Sequence, residues 1–173
     1  ILNLNSATND IIKHDYLNSK DTINLYSLSN HLNETIINYF PSAKIKSNST
    51  VLLESLLKYD TKTENFYIFL KDDTANMIFI KNSEIIFQNK FEYLTNEDLL
   101  YYTLFSFQQL EISTEEILVK LFGDIKDDQF QLLYDYIRNI KLGNRPKEFI
   151  FPNEALKIKK HKFFSLFSQV LCA

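Results

Sequence analysis

Ala75-Asn76-Met77-Ile78-Phe79-Ile80-Lys81-Asn82-Ser83-Glu84-Ile85-Ile86-Phe87-Gln88-Asn89-Lys90-Phe91 decides the fold. Two runs rich in apolar and β-branched residues flank the polar pair Asn82-Ser83, which predicts two strands and a tight hairpin turn. A further run, Phe66 to Leu70, precedes them across the turn Lys71-Asp72-Asp73-Thr74 and predicts a third strand. Then the period changes. Thr95 with Asp98 three residues later is a near capping box. It predicts a helix carrying Leu99, Leu100, Tyr101, Tyr102, Leu104, Phe105, Phe107 and Leu110, over about 95–110. Apolar groups on almost every side of that helix predict that it is sandwiched rather than lying on a surface.

Downstream, Glu116 to Phe122 reads as a strand ending at Gly123-Asp124. Asp127 and Asp128 suit the positive end of a helix macrodipole. The next helix, about 127–141, would bury Phe130, Leu133, Tyr134, Ile137 and Ile140, with Gly143 as its stop. Phe149 to Phe151 predicts a short strand cut by Pro152, and Phe163, Leu166, Phe167 and Val170 predict the inward stripe of a last helix. From residue 65 the order is therefore β-β-β-α-β-α-β-α, a mixed α/β (α+β) sheet of five strands.

Upstream, residues 1–21 are polar and Asn-rich and read as irregular. Ile23 to Leu28 is a weak strand. Ser29 or Asn30 opens a helix whose Leu32, Ile36, Tyr39 and Phe40 are spaced for one buried face, and Pro41 stops it. Ala43 to Lys46 predicts a short strand. Ser49 or Thr50 opens a second helix with Val51, Leu52, Leu53, Leu56 and Leu57 inward. The polar stretch 60–65 is the best candidate for a domain boundary.

Composition bounds the function classes. The 173 residues carry 19 basic and 22 acidic side chains, net −3, without the basic excess that nucleic-acid binders usually show. No apolar run approaches the ~18 residues needed to cross a bilayer. The lone Cys172 cannot form an internal disulfide, which fits a reducing, cytoplasmic setting. The two glycines, Gly123 and Gly143, are too few for most phosphate-cradling loops. The sequence opens on Ile1 rather than Met, so an N-terminal piece is expected beyond it.

A three-strand meander followed by two crossover units is the ribonuclease-H-like layout. Phe91-Glu92-Tyr93, Glu97-Asp98-Leu99-Leu100-Tyr101-Tyr102, Gln109-Leu110, Leu121-Phe122-Gly123, Leu133-Tyr134-Asp135-Tyr136-Ile137-Arg138-Asn139 and Leu171-Cys172 resemble a Bacteroidetes family of uncharacterised domains. The resemblance spans 22–173 and is strongest over 87–140. It implies an actin-like ATPase fold, two ribonuclease-H-like halves across a cleft, and brings no activity with it. In that fold residues 1–61 would be the C-terminal part of a first, incomplete half, and 65–173 a complete second half.

The resemblance also nominates residues. The turn between the first two strands of each half wraps phosphate in active relatives, and here it is Asp72, Asp73 and Thr74 after Lys71. It keeps acids and a hydroxyl but has no glycine, and its carboxylates repel phosphate unless a divalent metal intervenes. The plainer reading is a solvated turn, where Asp is common. Gly123 falls where such proteins contact adenosine, usually with a second glycine, but its neighbour here is Asp124. A turn glycine is the plainer reading.

Carboxylates at Asp72, Asp73 and Asp124 also suggest a two-metal nuclease site, which needs about four converging acids. His14, His31 and His161 have no metal-ligand spacing. Lys157, Lys159, Lys160, His161 and Lys162 form one basic run, read first as a solvated loop and second as a contact for nucleic acid or an acidic partner.

The sequence thus points to a non-hydrolysing binding or scaffolding protein, a pseudo-ATPase with a protein partner, no membrane and no resident cofactor. The alternatives are an ATP/Mg²⁺ binder whose main phosphate loop lies in an N-terminal piece, and a nucleic-acid-associated protein.

Overall fold

The structure is a computed structural model and describes residues 9–17, 22–59, 64–145 and 157–169. Five strands form its central sheet: β3 (Asn65–Lys71), β4 (Thr74–Lys81), β5 (Glu84–Glu92), β6 (Leu118–Gly123) and β7 (Ile140–Leu142). Their spatial order is β5-β4-β3-β6-β7. The first three pair antiparallel, and β6 and β7 add in parallel to β3. Helices α3 (Asn96–Gln109) and α4 (Asp127–Tyr136) are the crossovers. The expected order and the five-stranded mixed sheet are present, with the last strand at 140–142. The strand expected at 149–151 lies outside the described residues.

Asn82 and Ser83 both take positive φ, 51° and 62°, as a two-residue hairpin turn of this hand requires. Thr95 caps α3 in a full box: its side chain accepts from Asp98 N–H, and Asp98 Oδ2 accepts from Thr95 N–H at 3.0 Å.

Both faces of the sheet are covered. On the α3/α4 face, Phe66, Ile68, Met77, Leu121 and Leu133 lie in one core with Leu99 and Phe107. On the other face, Tyr67, Ile78, Ile80 and Phe122 meet Leu52, Leu53, Leu56 and Leu57 of α2 (Asn48–Tyr59) and Phe164 of α5 (Phe164–Ser168). All five apolar residues expected inward on α2 are buried. Strands β1 (Asp10–Tyr16) and β2 (Ile23–Ser29) form a separate antiparallel pair, followed by α1 (Asn30–Tyr39).

Several expectations are corrected. Part of the stretch read as irregular is β1, whose alternation of Ile12, His14 and Tyr16 is strand-like once β2 supplies the ladder. Residues 43–46 form no strand: Ala43 N–H closes a turn on Phe40 O, and Lys46 turns to Glu54 at 3.0 Å. Helix α1 buries none of its residues, because no layer among the described residues lies over its apolar side.

Helix α3 is not sandwiched: Leu99, Thr103, Ser106 and Phe107 are buried, while Tyr101 and Phe105 stack on each other at 5.9 Å and remain exposed. Helix α4 ends at Tyr136, and Tyr134 is exposed. Gly143 follows β7 rather than stopping a helix. A Cβ there would sit 2.6 Å from Cδ1 of Phe122 and nearer still to the ring's far edge. On α5 the inward residues are Phe164 and Ser168. Phe163 and Leu166 face out because Phe163 sits in the left-handed region, φ 58°, and delays the helix by one residue. Val170 and Cys172 lie outside the described residues.

Candidate functional site

The carboxyl ends of β3 and β6 open into a cleft of about 510 Å³ on the α2/α5 side of the sheet. In open α/β sheets this end of the strands is where ligands bind. Register builds its floor. Lys90 of β5 pairs with Asn76 of β4, Asn76 with Phe69 of β3, and Phe69 with Phe122 of β6. The four side chains form a row across the sheet, basic at one end and aromatic at the other. Phe69 and Phe122 stack at 4.7 Å, and Phe164 from α5 lies 4.7 Å from Phe122. Asn48 and Ser49 at the start of α2, and Lys162, Phe163 and Leu166 around α5, make the rim.

The residues singled out in the sequence divide here. Thr74, Gly123 and Asp124 line the cleft together with Lys71. Asp72 and Asp73 do not line it and are exposed on the hairpin turn. That turn is braced from behind: Tyr93 donates its N–H to Asp73 O at 3.0 Å and its hydroxyl to Asp72 O at 3.2 Å. Thr74 Oγ1 donates back to Lys71 O at 2.8 Å. Gly123 takes φ 97° because it passes close to the Leu70 carbonyl, and its N–H goes to His161 O at 2.9 Å. The N–H of Asp124 goes to Leu70 O at 3.0 Å. Both amides at the nominated adenosine position are therefore committed inside the protein.

Asp124 Oδ1 accepts from Lys162 Nζ at 2.6 Å, which draws one lysine out of the basic run. His161 is 4% exposed, and burial, with Lys159 and Lys162 beside it, pulls its pKa below the usual imidazole value. Lys157, Lys159 and Lys160 stay exposed while His161 is buried and Lys162 is paired. Among the described residues no group of three or more His, Cys, Asp or Glu could hold a metal, so the two-metal arrangement of acids does not form. Lys71, Lys90 and Lys162 against Asp124 leave the cleft net positive. Oδ1 of Asn76 is buried without a hydrogen-bond partner among the described residues.

Lys90, Asn76 and the aromatic floor were missed in the sequence. Counting from the Asn82-Ser83 turn alone places Asn89 opposite Asn76. A register shift between Phe79 and Ile80 advances the pairing by one and brings Lys90 to the cleft face.

The sheet order and the paired crossovers define a ribonuclease-H-like unit of the actin-like ATPase fold. A solved structure from Bacteroides thetaiotaomicron VPI-5482, described as a protein with actin-like ATPase fold and unknown function, matches at TM-score 0.79 and 19% identity. The match covers 99% of this chain and 62% of that one, so the chain spans under two thirds of that neighbour's length. An AlfA filament bound to AMPPNP is similar at TM-score 0.46 and 12% identity, over 68% of this chain and 41% of that one. The model of the DUF3822 family, described as a protein of unknown function, matches residues 1–140, and the chain belongs to that family. No functionally curated protein matches it. Among the described residues no helix is long and apolar enough to cross a membrane.

Proposed function

We propose that this chain is an actin-like-fold binding protein that does not turn over ATP. One observation carries the reading: the turn Lys71-Asp72-Asp73-Thr74, which the resemblance places at the phosphate, has no glycine, and its Asp72 and Asp73 stay out of the cleft. Hydrolysis on this fold depends on preorganised N–H donors and a bridged metal at the transferring phosphate. The amides of Gly123 and Asp124, at the position the resemblance gives to adenosine, donate to His161 O and Leu70 O and not into the cleft. The same reading takes residues 1–61 as the C-terminal part of a first ribonuclease-H-like half. Ile12, Tyr16, Ile23 and Leu25 share one side of the β1–β2 pair and are exposed, a surface on which the remainder of such a half would pack.

The test is phosphate release from ATP with Mg²⁺ by the purified chain, expected at the buffer rate. Mg²⁺-dependent turnover that is lost on Asp72→Ala or Asp73→Ala would overturn the reading and make the protein an enzyme. A second reading, nucleotide binding without turnover, draws on the position of the cleft at the carboxyl ends of β3 and β6. It would be favoured by ATP binding that Thr74→Ala or Lys71→Ala weakens.

A further inference from the structure

We infer that the cleft captures the carboxy-terminal end of a partner polypeptide whose last residue is apolar. The inference rests on the non-hydrolysing binding reading and names the class of partner.

Three features of the cleft match three features of a chain end. Half-buried Phe69, backed by the buried rings of Phe122 and Phe164, and the exposed Phe163 and Leu166 at the rim give an apolar surface for a large side chain. Beside it stand Lys71 and Lys90, and across the rim Lys162, which pairs with Asp124. A terminal carboxylate, ionised at neutral pH, answers that excess of positive charge. Between floor and lysines, in register with both, lies Asn76, whose Oδ1 is buried without a hydrogen-bond partner among the described residues. A buried acceptor left unpaired is costly, so the site gains from a ligand that brings a donor. A peptide N–H next to a terminal carboxylate is such a donor, reached by rotation of the Asn76 amide into the cleft.

Other occupants match less. A fatty acid has the carboxylate and the apolar body but nothing to donate to Asn76. A nucleoside triphosphate without a metal brings more charge than the lysines balance, and the turn Lys71-Asp72-Asp73-Thr74 has no glycine to close on its phosphates. Phe163, half exposed at the rim and held at φ 58°, adds an apolar lip over which the incoming chain passes.

The experiment is fluorescence anisotropy on the purified chain with fluorescein-labelled hexapeptides of glycine and serine ending in phenylalanine, leucine or valine. Each is compared with its carboxy-terminal amide. Saturable binding of at least one free acid is expected, at least tenfold weaker for its amide. Lys90→Ala and Asn76→Ala, neither in the packed core, should each weaken binding fivefold or more while circular dichroism and melting stay as in the wild type. Equal binding of acid and amide would overturn the inference, as would decanoate displacing the peptide with equal affinity. So would no binding of any of the peptides up to 1 mM. ATP turnover measured on the same sample separates the two claims. Failed peptide binding without turnover sinks this inference alone, whereas Mg²⁺-dependent turnover sinks the reading beneath it.

Discussion

A Cβ on Gly123 would lie 2.9 Å from the carbonyl carbon of Leu70 and closer still to its oxygen. Leu70 and Gly123 are the last register pair of the parallel β3–β6 ladder, and Asp124 N–H closes on the same carbonyl. The glycine is therefore required by the sheet itself, since its φ of 97° is one that L side chains rarely adopt. Gly123→Ala is expected to destabilise by roughly 2–4 kcal/mol, combining a backbone clash with left-handed strain. Urea denaturation measures it, and a midpoint within error of the wild type would show that β3 and β6 separate at no cost.

The α3/α4 layer offers a separate test of packing. Phe107 is 2% exposed and meets Phe66 edge-on at 4.8 Å, and Ile137 is fully buried just beyond α4. Truncating either leaves a cavity that the sheet cannot collapse into. Phe107→Ala and Ile137→Ala should each cost about 2–5 kcal/mol in equilibrium unfolding. Wild-type melting in both would mean that these side chains do not face the core.

The sheet was legible because its strands are apolar on both faces and its turns are polar pairs, so length and composition separate strand from helix. The capping box placed α3 to within a residue. Other features needed contacts that no local pattern carries. Strand β1 reads as polar coil until β2 lies beside it. The exposed side of α3 is aromatic because Tyr101 and Phe105 stack on each other, so a hydrophobic count overstates its burial. Gly143 looked like a helix stop, yet the ring of Phe122 dictates it. Of the residues the sequence singled out, Thr74, Gly123 and Asp124 line the cleft and Asp72 and Asp73 do not, while Lys90 was missed because a one-residue register shift decides which of Asn89 and Lys90 faces Asn76.

Asp15 fastens the β1–β2 pair to the rest of the molecule. Its Oδ2 accepts from Ser47 N–H and Thr50 Oγ1, both at 2.7 Å, and its Oδ1 from Tyr26 at 3.3 Å. Thr50 Oγ1 in turn accepts from Asn24 at 2.9 Å. A two-stranded sheet is marginal alone, so this network at the start of α2 holds it in place. Asp15→Ala is expected to cost roughly 1–3 kcal/mol by stranding these donors. Hydrogen exchange should rise over 10–29 more than in the five-stranded sheet. Unchanged exchange in the hairpin would mean that other contacts hold it.

Lys120 gives the fold a pH dependence whose sign can be worked out. It is 7% exposed on β6, over the Tyr67 ring at 5.5 Å and in register with Lys141. Burial first, and Lys141 second, lower its pKa from 10.5 to about 8. Below pH 8 both folded and unfolded chains carry the proton. Between about pH 8 and 10.5 the folded chain has released a proton that the unfolded chain keeps, so stability rises with pH across that window. Lys120→Met removes this contribution. The unfolding free energy of the wild type should therefore climb relative to Lys120→Met from pH 7.5 to 9.5. Parallel curves for the two proteins would show that Lys120 keeps an ordinary pKa, and that its ammonium reaches water past Lys141.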